Sequence, residues 1–365
     1  MRFNRENLTS RVQTLAERLT SAGYTTAGFV GNRLVGADHG FDQGFGHFEP
    51  FHDKGPFRSA TVDARGVDRV LAWLDGQPAP TMPWFIWIHL QDPHGPYLPK
   101  DIAWTEPYAA AYDALGPREP VPASPSNFGL NVIPLYQTLP GLSHLGDFVR
   151  RYDSEIRETD AEIGRLLAGI EAHGQTASTL VVLSADHGES LTEHGEYLQH
   201  GWFLYDTTLR VPLIFAWPGV LPAGTAIAEE VRSVDLVPTL EEIVGIAPSE
   251  RRRLPRRHEL RRASRRAAGR RTCARRSRSA PARTTSSPFA RQAGSSSSRR
   301  PAGRSIPRVE NKFPTNLPER YELYDTTRDP GETEDLVARE PARVAALTEK
   351  LMAFRRECSL GGLGW

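Results

Sequence analysis

Leu180-Val181-Val182-Leu183-Ser184-Ala185-Asp186-His187-Gly188-Glu189 is an apolar run that stops at two neighbouring side chains able to face one cation. Its apolar part has the length and β-branched content of a buried strand. The next sixteen or so residues, Ser190 to Tyr205, add His194, Glu196 and His200, and Arg210-Val211-Pro212-Leu213-Ile214-Phe215 reads as another strand. Ligand sites of open α/β sheets lie beyond the carboxyl ends of strands, so chemistry is expected at Asp186 and just after it.

Working toward the amino terminus, Phe148 to Glu171 has a helical apolar stripe of Ile156, Ile163, Leu166, Leu167 and Ile170, and it feeds that strand. Trp84-Phe85-Ile86-Trp87-Ile88-His89-Leu90 is a continuous apolar run of the kind found in central parallel strands. A helix is expected near Val62–Leu74 and a strand at Thr25–Val30. A further helix is expected over Leu8–Ala22, closed by Gly23 as its C′ residue. Residues 93–146, rich in Pro and aromatics, read as a long connection over the functional face. Toward the carboxyl terminus a short helix fits Thr239–Val244, globular character returns at Tyr321–Asp325 and a last helix fits Pro341–Arg355. Helices alternating with apolar strands define an α/β layered fold with a mostly parallel or mixed sheet.

Composition divides the chain. Between Arg251 and Arg304 there are 19 Arg and a single acidic residue, Glu259. Removing them from the 45 basic and 44 acidic residues leaves 26 against 43, so the formal charge of +1 hides an acidic body of −17. Three regions follow: 1–248 as the main domain, 249–306 as an Arg/Ser/Ala/Pro-rich segment without apolar periodicity, and 307–365 as a small C-terminal subdomain. The middle segment has two readings. It is a polyanion- or nucleic-acid-binding arm driven by counterion release, or GC-rich coding DNA read out of frame; the composition favours the second. No apolar run is long enough to span a membrane, and the start carries no apolar leader, so the chain as written reads as cytoplasmic. Cys273 and Cys358 make neither a disulfide framework nor a metal-ligand spacing.

The ordered blocks resemble the sulfatase family of the alkaline-phosphatase superfamily. They are Thr14-Leu15-Ala16-Glu17-Arg18-Leu19 with Gly23-Tyr24-Thr25-Thr26-Ala27, then Ile88-His89-Leu90-Gln91-Asp92-Pro93-His94-Gly95-Pro96-Tyr97. The Asp-His-Gly-Glu stretch, His200-Gly201, Tyr205 with Arg210-Val211-Pro212-Leu213-Ile214, and Tyr321–Asp325 with Asp329-Pro330-Gly331-Glu332 complete the series. The resemblance implies an alkaline-phosphatase-like fold and hydrolysis of sulfate esters of small molecules or saccharides. Asp186 and His187 match ligands of a divalent cation, Ca²⁺ first, with Mn²⁺ or Zn²⁺ also suited to a carboxylate–imidazole pair. The alternative for Asp186 is a helix N-cap with His187 packed below it. His94 matches a histidine that touches the transferred sulfate and assists proton movement. His200 matches a Lys or His position that offsets charge on the leaving group.

Other polar residues of these blocks read more plainly. His194, Glu189 and Arg210 are further candidates for the site; against that, His194 and Glu196 suit a loop-ordering role, Arg210 suits an anchor at the entrance of the next strand, and His89 reads as a core histidine.

Two parts of the family pattern are not found among the 365 residues: a pair of consecutive Asp residues and the Cys-x-Pro-Ser-Arg motif whose Cys becomes formylglycine. Cys273 sits in Thr-Cys-Ala-Arg-Arg, after the matching blocks rather than before them, and Ala123-Ser124-Pro125-Ser126-Asn127 lacks both Cys and Arg. The chain is therefore expected to begin inside the domain, to lack the first strand, and to be inactive or very weak. A phosphomonoester or phosphonate ester hydrolase of the same superfamily is the alternative chemistry. A non-catalytic protein for sulfated or polyanionic ligands is the alternative class.

Overall fold

The computed structural model describes residues 7–10, 12–52, 62–77, 82–247, 283–286 and 321–360. Apart from 283–286, the Arg-rich segment 251–305 lies outside the described residues, as do Cys273 and, for its side chain, Cys358. The chain forms two compact units. One comprises Met1–Ala103, Arg151–Asp186 and Leu213–Arg275, the other Trp104–Arg150, His187–Pro212 and Arg276–Trp365.

The first unit is built on a parallel sheet. Strand β1 (Thr25–Val30) lies between β2 (His47–Pro50) and β3 (Trp84–His89), and both pairings are parallel. All but the first residue of β1 are buried, as expected for the inner strand of a sheet covered on both faces. The sequence places β3 at the centre; β1 takes that position among the described strands, and β3 pairs with it in register from Thr25↔Trp84 to Val30↔His89.

Because side chains alternate along a strand, the run 84–90 splits between two faces. Trp84, Ile86, Ile88 and Leu90 join Ala27 and Phe29 in a core with helix α2 (Val62–Asp75), which contributes Val62, Val70 and Leu74. Ile170 and Leu166 of a long helix, Leu145–Ala172, close that layer. Phe85 and Trp87 turn the other way, onto Phe45 at ring distances of 5.9 Å. That face also receives helix α1 (Leu15–Ser21), whose Thr20 hydroxyl meets that of Thr26 at 3.0 Å. Helices thus cover both faces of the sheet.

Helix α1 is shorter than its apolar pattern predicts. Thr14 accepts the Glu17 N–H while Glu17 accepts the Thr14 N–H, a capping box that fixes the start at Leu15. Upstream, the Leu8 N–H is spent on the His39 carbonyl, so the backbone there is committed elsewhere. Gly23 ends the helix at φ +88°, a left-handed conformation that favours glycine.

Two helices, one short and one long, lie between β3 and the next strand pair. Helix α3 spans Ala109–Asp113 and the long helix is α4 (Leu145–Ala172). From α4 the chain enters β4 (Val181–Ser184), which pairs antiparallel with β5 (Leu213–Ala216), making the fold mixed overall. Between these strands lies the single-turn α5 (Asp206–Leu209), and α6 (Leu236–Ile243) follows. Arg18 of α1 and Glu241 of α6 form a buried ion pair at 2.5 Å.

Helix α4 corrects the expected stripe. Ile170 is buried, but Ile156 and Leu167 are exposed, while Glu155 and Ser154 are almost fully enclosed. The helix turns a polar face inward because that face bonds to loop backbone, as described below.

In the second unit, β6 (Arg283–Ser286) pairs antiparallel with β7 (Tyr321–Tyr324), and α7 (Pro341–Leu360) follows. Acidic side chains of the C-terminal block bind the loop 187–212. Glu322 accepts hydrogen bonds from the Tyr205 and Tyr324 hydroxyls at 2.8 and 3.1 Å, and the buried Glu332 accepts the Asp206 N–H at 2.7 Å. Among the described residues no helix is long and apolar enough to cross a membrane.

Candidate active site

Of the residues singled out in the sequence, His94 and Asp186 belong to the first unit and His187, Glu189, His194, His200 and Arg210 to the second. In the first unit, β3 runs out at His89, and the chain turns through Gln91 and Asp92 into His94. The His94 N–H closes the turn on the Gln91 carbonyl at 2.9 Å. Its Nδ1 lies 2.8 Å from the Gly95 carbonyl. A carbonyl only accepts, so Nδ1 carries the hydrogen and Nε2 is left as the basic nitrogen of the neutral ring. His89 stands edge-on to Trp87 at 6.2 Å and 79°.

Asp186 and His187 are successive residues just past β4. Asp186 is exposed and half-buried His187 bonds through Nδ1 to the Gly188 carbonyl at 2.8 Å. Asp186 does not cap a long helix: the chain runs on through Gly188 and a bridge between Ser190 and Gln199 before α5 begins. In the second unit that bridge brings His200 back over His187, ring to ring at 3.8 Å and 28°. Glu189, with only 5% of its side chain exposed, lies 3.2 Å from the His200 Nδ1. The carboxylate can only accept, so the His200 Nδ1 carries a hydrogen toward it and the contact fixes the ring's orientation. The sequence brings His187, Glu189 and His200 together by one hairpin-like return.

The remaining residues divide. His194 adopts φ +53° and stacks on Tyr205 at 3.6 Å and 13°. Burial pushes its pKa below the usual histidine range, against the pull of Glu193, Glu322 and Asp329. It belongs to the packing of loop on C-terminal block. Arg210 is exposed, and its N–H ends α5 on the Asp206 carbonyl.

Glu196 is fully enclosed and accepts the Trp202 N–H at 2.9 Å. Burial pushes its carboxyl up to about 7, opposed by the Trp202 and Phe203 N–H groups and by His200. Its bonds from the Trp202 and Phe203 N–H groups hold the loop 196–203, the ordering role its place in the sequence suggests. Leu198 at the tip is held through its carbonyl by the Tyr136 hydroxyl at 3.0 Å and by the Gln137 side chain at 3.1 Å. Burial likewise raises the Tyr136 pKa, with Glu189 and Glu196 adding to the rise. No sequence signal pointed to Tyr136 or Gln137.

Because the folded pKa of Glu196 lies above its ordinary value of 4.5, the native state holds the proton more tightly than the unfolded chain. Its contribution is full below about pH 4.5 and is lost as pH rises through 7. Between pH 5 and 8, Glu196→Gln should gain about 2 kcal/mol on the parent, read from urea midpoints at the two pH values. A constant difference between the two proteins would show that Glu196 is ionised throughout.

A family model described as Sulfatase matches residues 2–246. The chain belongs to the sulfatase family. Arylsulfatase K of Mus musculus is 26% identical over 216 residues, covering 53% of this chain and 37% of the relative. N-acetylglucosamine-6-O-sulfatase of Bacteroides thetaiotaomicron is 33% identical over 104 residues, covering 28% of this chain and 18% of the relative. The chain thus spans well under half the length of these curated relatives. A structure solved in complex with its substrate D-glucosamine-2-N,6-O-disulfate superposes with a TM-score of 0.62 at 18% identity. That alignment covers 98% of this chain and 84% of the other. The phosphonate monoester hydrolase of Agrobacterium radiobacter gives a TM-score of 0.63 at 18% identity, over 97% of this chain and 82% of the other. The likeness confirms the alkaline-phosphatase-like fold.

The family in general uses a divalent cation and a formylglycine. Among the described residues no group of three or more His, Cys, Asp or Glu side chains is arranged to hold a metal. Asp186 and His187 offer two protein donors, fewer than a resident divalent ion takes from its protein. The described residues therefore do not make a metal centre by themselves.

Proposed function

We propose that this chain is the body of a sulfuric ester hydrolase whose substrate is a sulfate monoester of a small molecule or saccharide. The observation that carries the reading is the family match across residues 2–246. The pairing of His200 with Glu189 is the geometry that supports it. His200, oriented by Glu189, offsets charge developing on the leaving oxygen. His94, with Nε2 as its basic nitrogen, takes and returns the proton at the ester. Asp186 and His187 are the two ligands this chain would offer to a divalent ion, Ca²⁺ first. The sulfated saccharides of the relatives' names make a sulfated amino sugar the first substrate class to try.

A repaired chain tests the reading: an Asp-Asp strand and a Cys-x-Pro-Ser-Arg segment joined ahead of residue 8, expressed with formylglycine-forming machinery. It should hydrolyse aryl sulfate faster than aryl phosphate, and His94→Ala or His200→Ala should each lower kcat about a hundredfold or more. Faster turnover of a phosphonate monoester would move the assignment to the second chemistry, which the phosphonate hydrolase likeness keeps in view. Tight binding of a sulfated sugar with no turnover after repair would favour a binding protein instead.

A further inference from the structure

We propose that Asp63 is a positioning residue for His94, holding the turn after β3 from the first turn of α2; this rests on His94 being functional. Asp63 is 3% exposed. Its Oδ1 accepts the Gln91 N–H at 2.7 Å and its Oδ2 accepts the Asp92 N–H at 3.1 Å. The Thr159 hydroxyl from α4 approaches Oδ2 at 3.5 Å. A carboxylate so enclosed persists because successive backbone donors replace its water, and such charge-assisted bonds are stronger and shorter than neutral ones. The same two amides belong to the residues that fix His94, whose own N–H closes on the Gln91 carbonyl.

The far end of the loop is held in the same manner by α4. The buried Glu155 accepts the Leu98 N–H at 2.6 Å, and Glu158 accepts those of Lys100 and Asp101 at 2.6 and 3.2 Å. The helices that supply these carboxylates are themselves joined: Arg165 of α4 bonds to Asp68 at 2.5 Å and to the Ala64 carbonyl at 2.9 Å on α2. His94 therefore sits between two carboxylate anchors, on a loop of which the proline-rich sequence gives no hint of fixed geometry. Asp63 needs no contact with substrate for this; it acts through the backbone that carries the imidazole.

Asp63→Asn keeps the side chain's shape but replaces one acceptor oxygen by an NH₂ group, which must then face a backbone N–H. The test is nitrogen-15 NMR of the histidine rings in the full chain, with the His94 signals assigned by His94→Gln. The parent should show His94 predominantly as the Nδ1–H tautomer. In Asp63→Asn those signals should move toward a tautomer mixture, and the Gln91 and Asp92 amides should exchange at least tenfold faster. His47 and His173, elsewhere in the same unit, should keep their signals. Unchanged His94 signals in a folded Asp63→Asn protein would overturn the proposal.

Should that variant fail to fold, hydrogen exchange of the parent decides. Gln91 and Asp92 amides protected as well as those of Ala27 and Phe29 support the anchor; exchange within tenfold of an unstructured peptide overturns it. Neither readout needs turnover. Failure of the functional reading would appear separately, as undiminished activity of His94→Ala in the repaired chain.

Discussion

Incubated with an aryl sulfate, the 365-residue chain will release phenol no faster than buffer, whether Ca²⁺, Mn²⁺ or a chelator is present. Covalent sulfate transfer needs a nucleophile that splits one difficult step into two. The family's nucleophile arises from Cys in Cys-x-Pro-Ser-Arg, and neither Cys273 nor Cys358 stands in such a motif. Removing the nucleophile of a covalent mechanism costs roughly 10⁴-fold or more in rate, and the positioned histidines recover little of that alone. The cation adds to the deficit: Asp186 and His187 are two donors, and the described residues assemble no third. Calorimetry should accordingly find no Ca²⁺ binding tighter than about millimolar, the range of weak oxygen-ligand sites. Turnover that rises with added Ca²⁺ and vanishes with chelator would overturn both halves of this expectation, and would require a nucleophile outside the family pattern.

What the sequence disclosed and what it concealed separate along a physical line. Strands such as Thr25–Val30 and Trp84–His89 were legible because a strand covered on two faces carries no charged side chain along its length. The pairing of His200 with Glu189 was half legible: both residues stood in family-like blocks, but the return that joins them depends on the Ser190–Gln199 bridge. Helix α4 was legible in extent and misread in facing. Its apolar stripe pointed to Ile156 and Leu167, yet the structure exposes both and buries Glu155. Periodicity counts transfer free energy from water, and Glu155 is enclosed for another reason, the Leu98 N–H. Asp63 escaped for the same cause. The start of α1 was misread although Thr14 and Glu17 announced it, since an apolar period that runs through a capping box looks continuous in the sequence. In the C-terminal block, Glu322 and Glu332 lay inside the family-like stretch, and they are the side chains that hold Tyr205 and Asp206.

Substituting Gly188 by Ala should destabilise the protein by about 3 kcal/mol, combining overpacking with a lost hydrogen bond. Gly188 follows His187 directly, and its N–H bonds to the Thr208 carbonyl at 2.8 Å. A methyl group there would collide with the Thr207 carbonyl oxygen, with the Thr207 carbonyl carbon at 3.1 Å and the Thr208 Cα at 3.3 Å behind it. These obstacles are backbone, so no side chain can swing aside. The segment that bears them cannot easily withdraw: Glu332 holds the Asp206 N–H, and the Thr208 hydroxyl bonds to the Tyr205 carbonyl at 3.1 Å. Gly164, on an open stretch of α4 where a Cβ meets nothing within 4 Å, supplies the contrast. There the same change should stabilise by up to about 1 kcal/mol, because alanine loses less backbone entropy in a helix. Thermal melts should therefore move in opposite directions, down by roughly 6–12 °C for Gly188→Ala and slightly up for Gly164→Ala. Ring resonances of His187 and His200 should shift in the first variant only, because their stack at 3.8 Å rests on the backbone that Gly188 lets pass beneath Thr207. If Gly188→Ala melted within a degree of the parent with that stack intact, the close approach at the exit of β4 would be a feature the folded protein does not need.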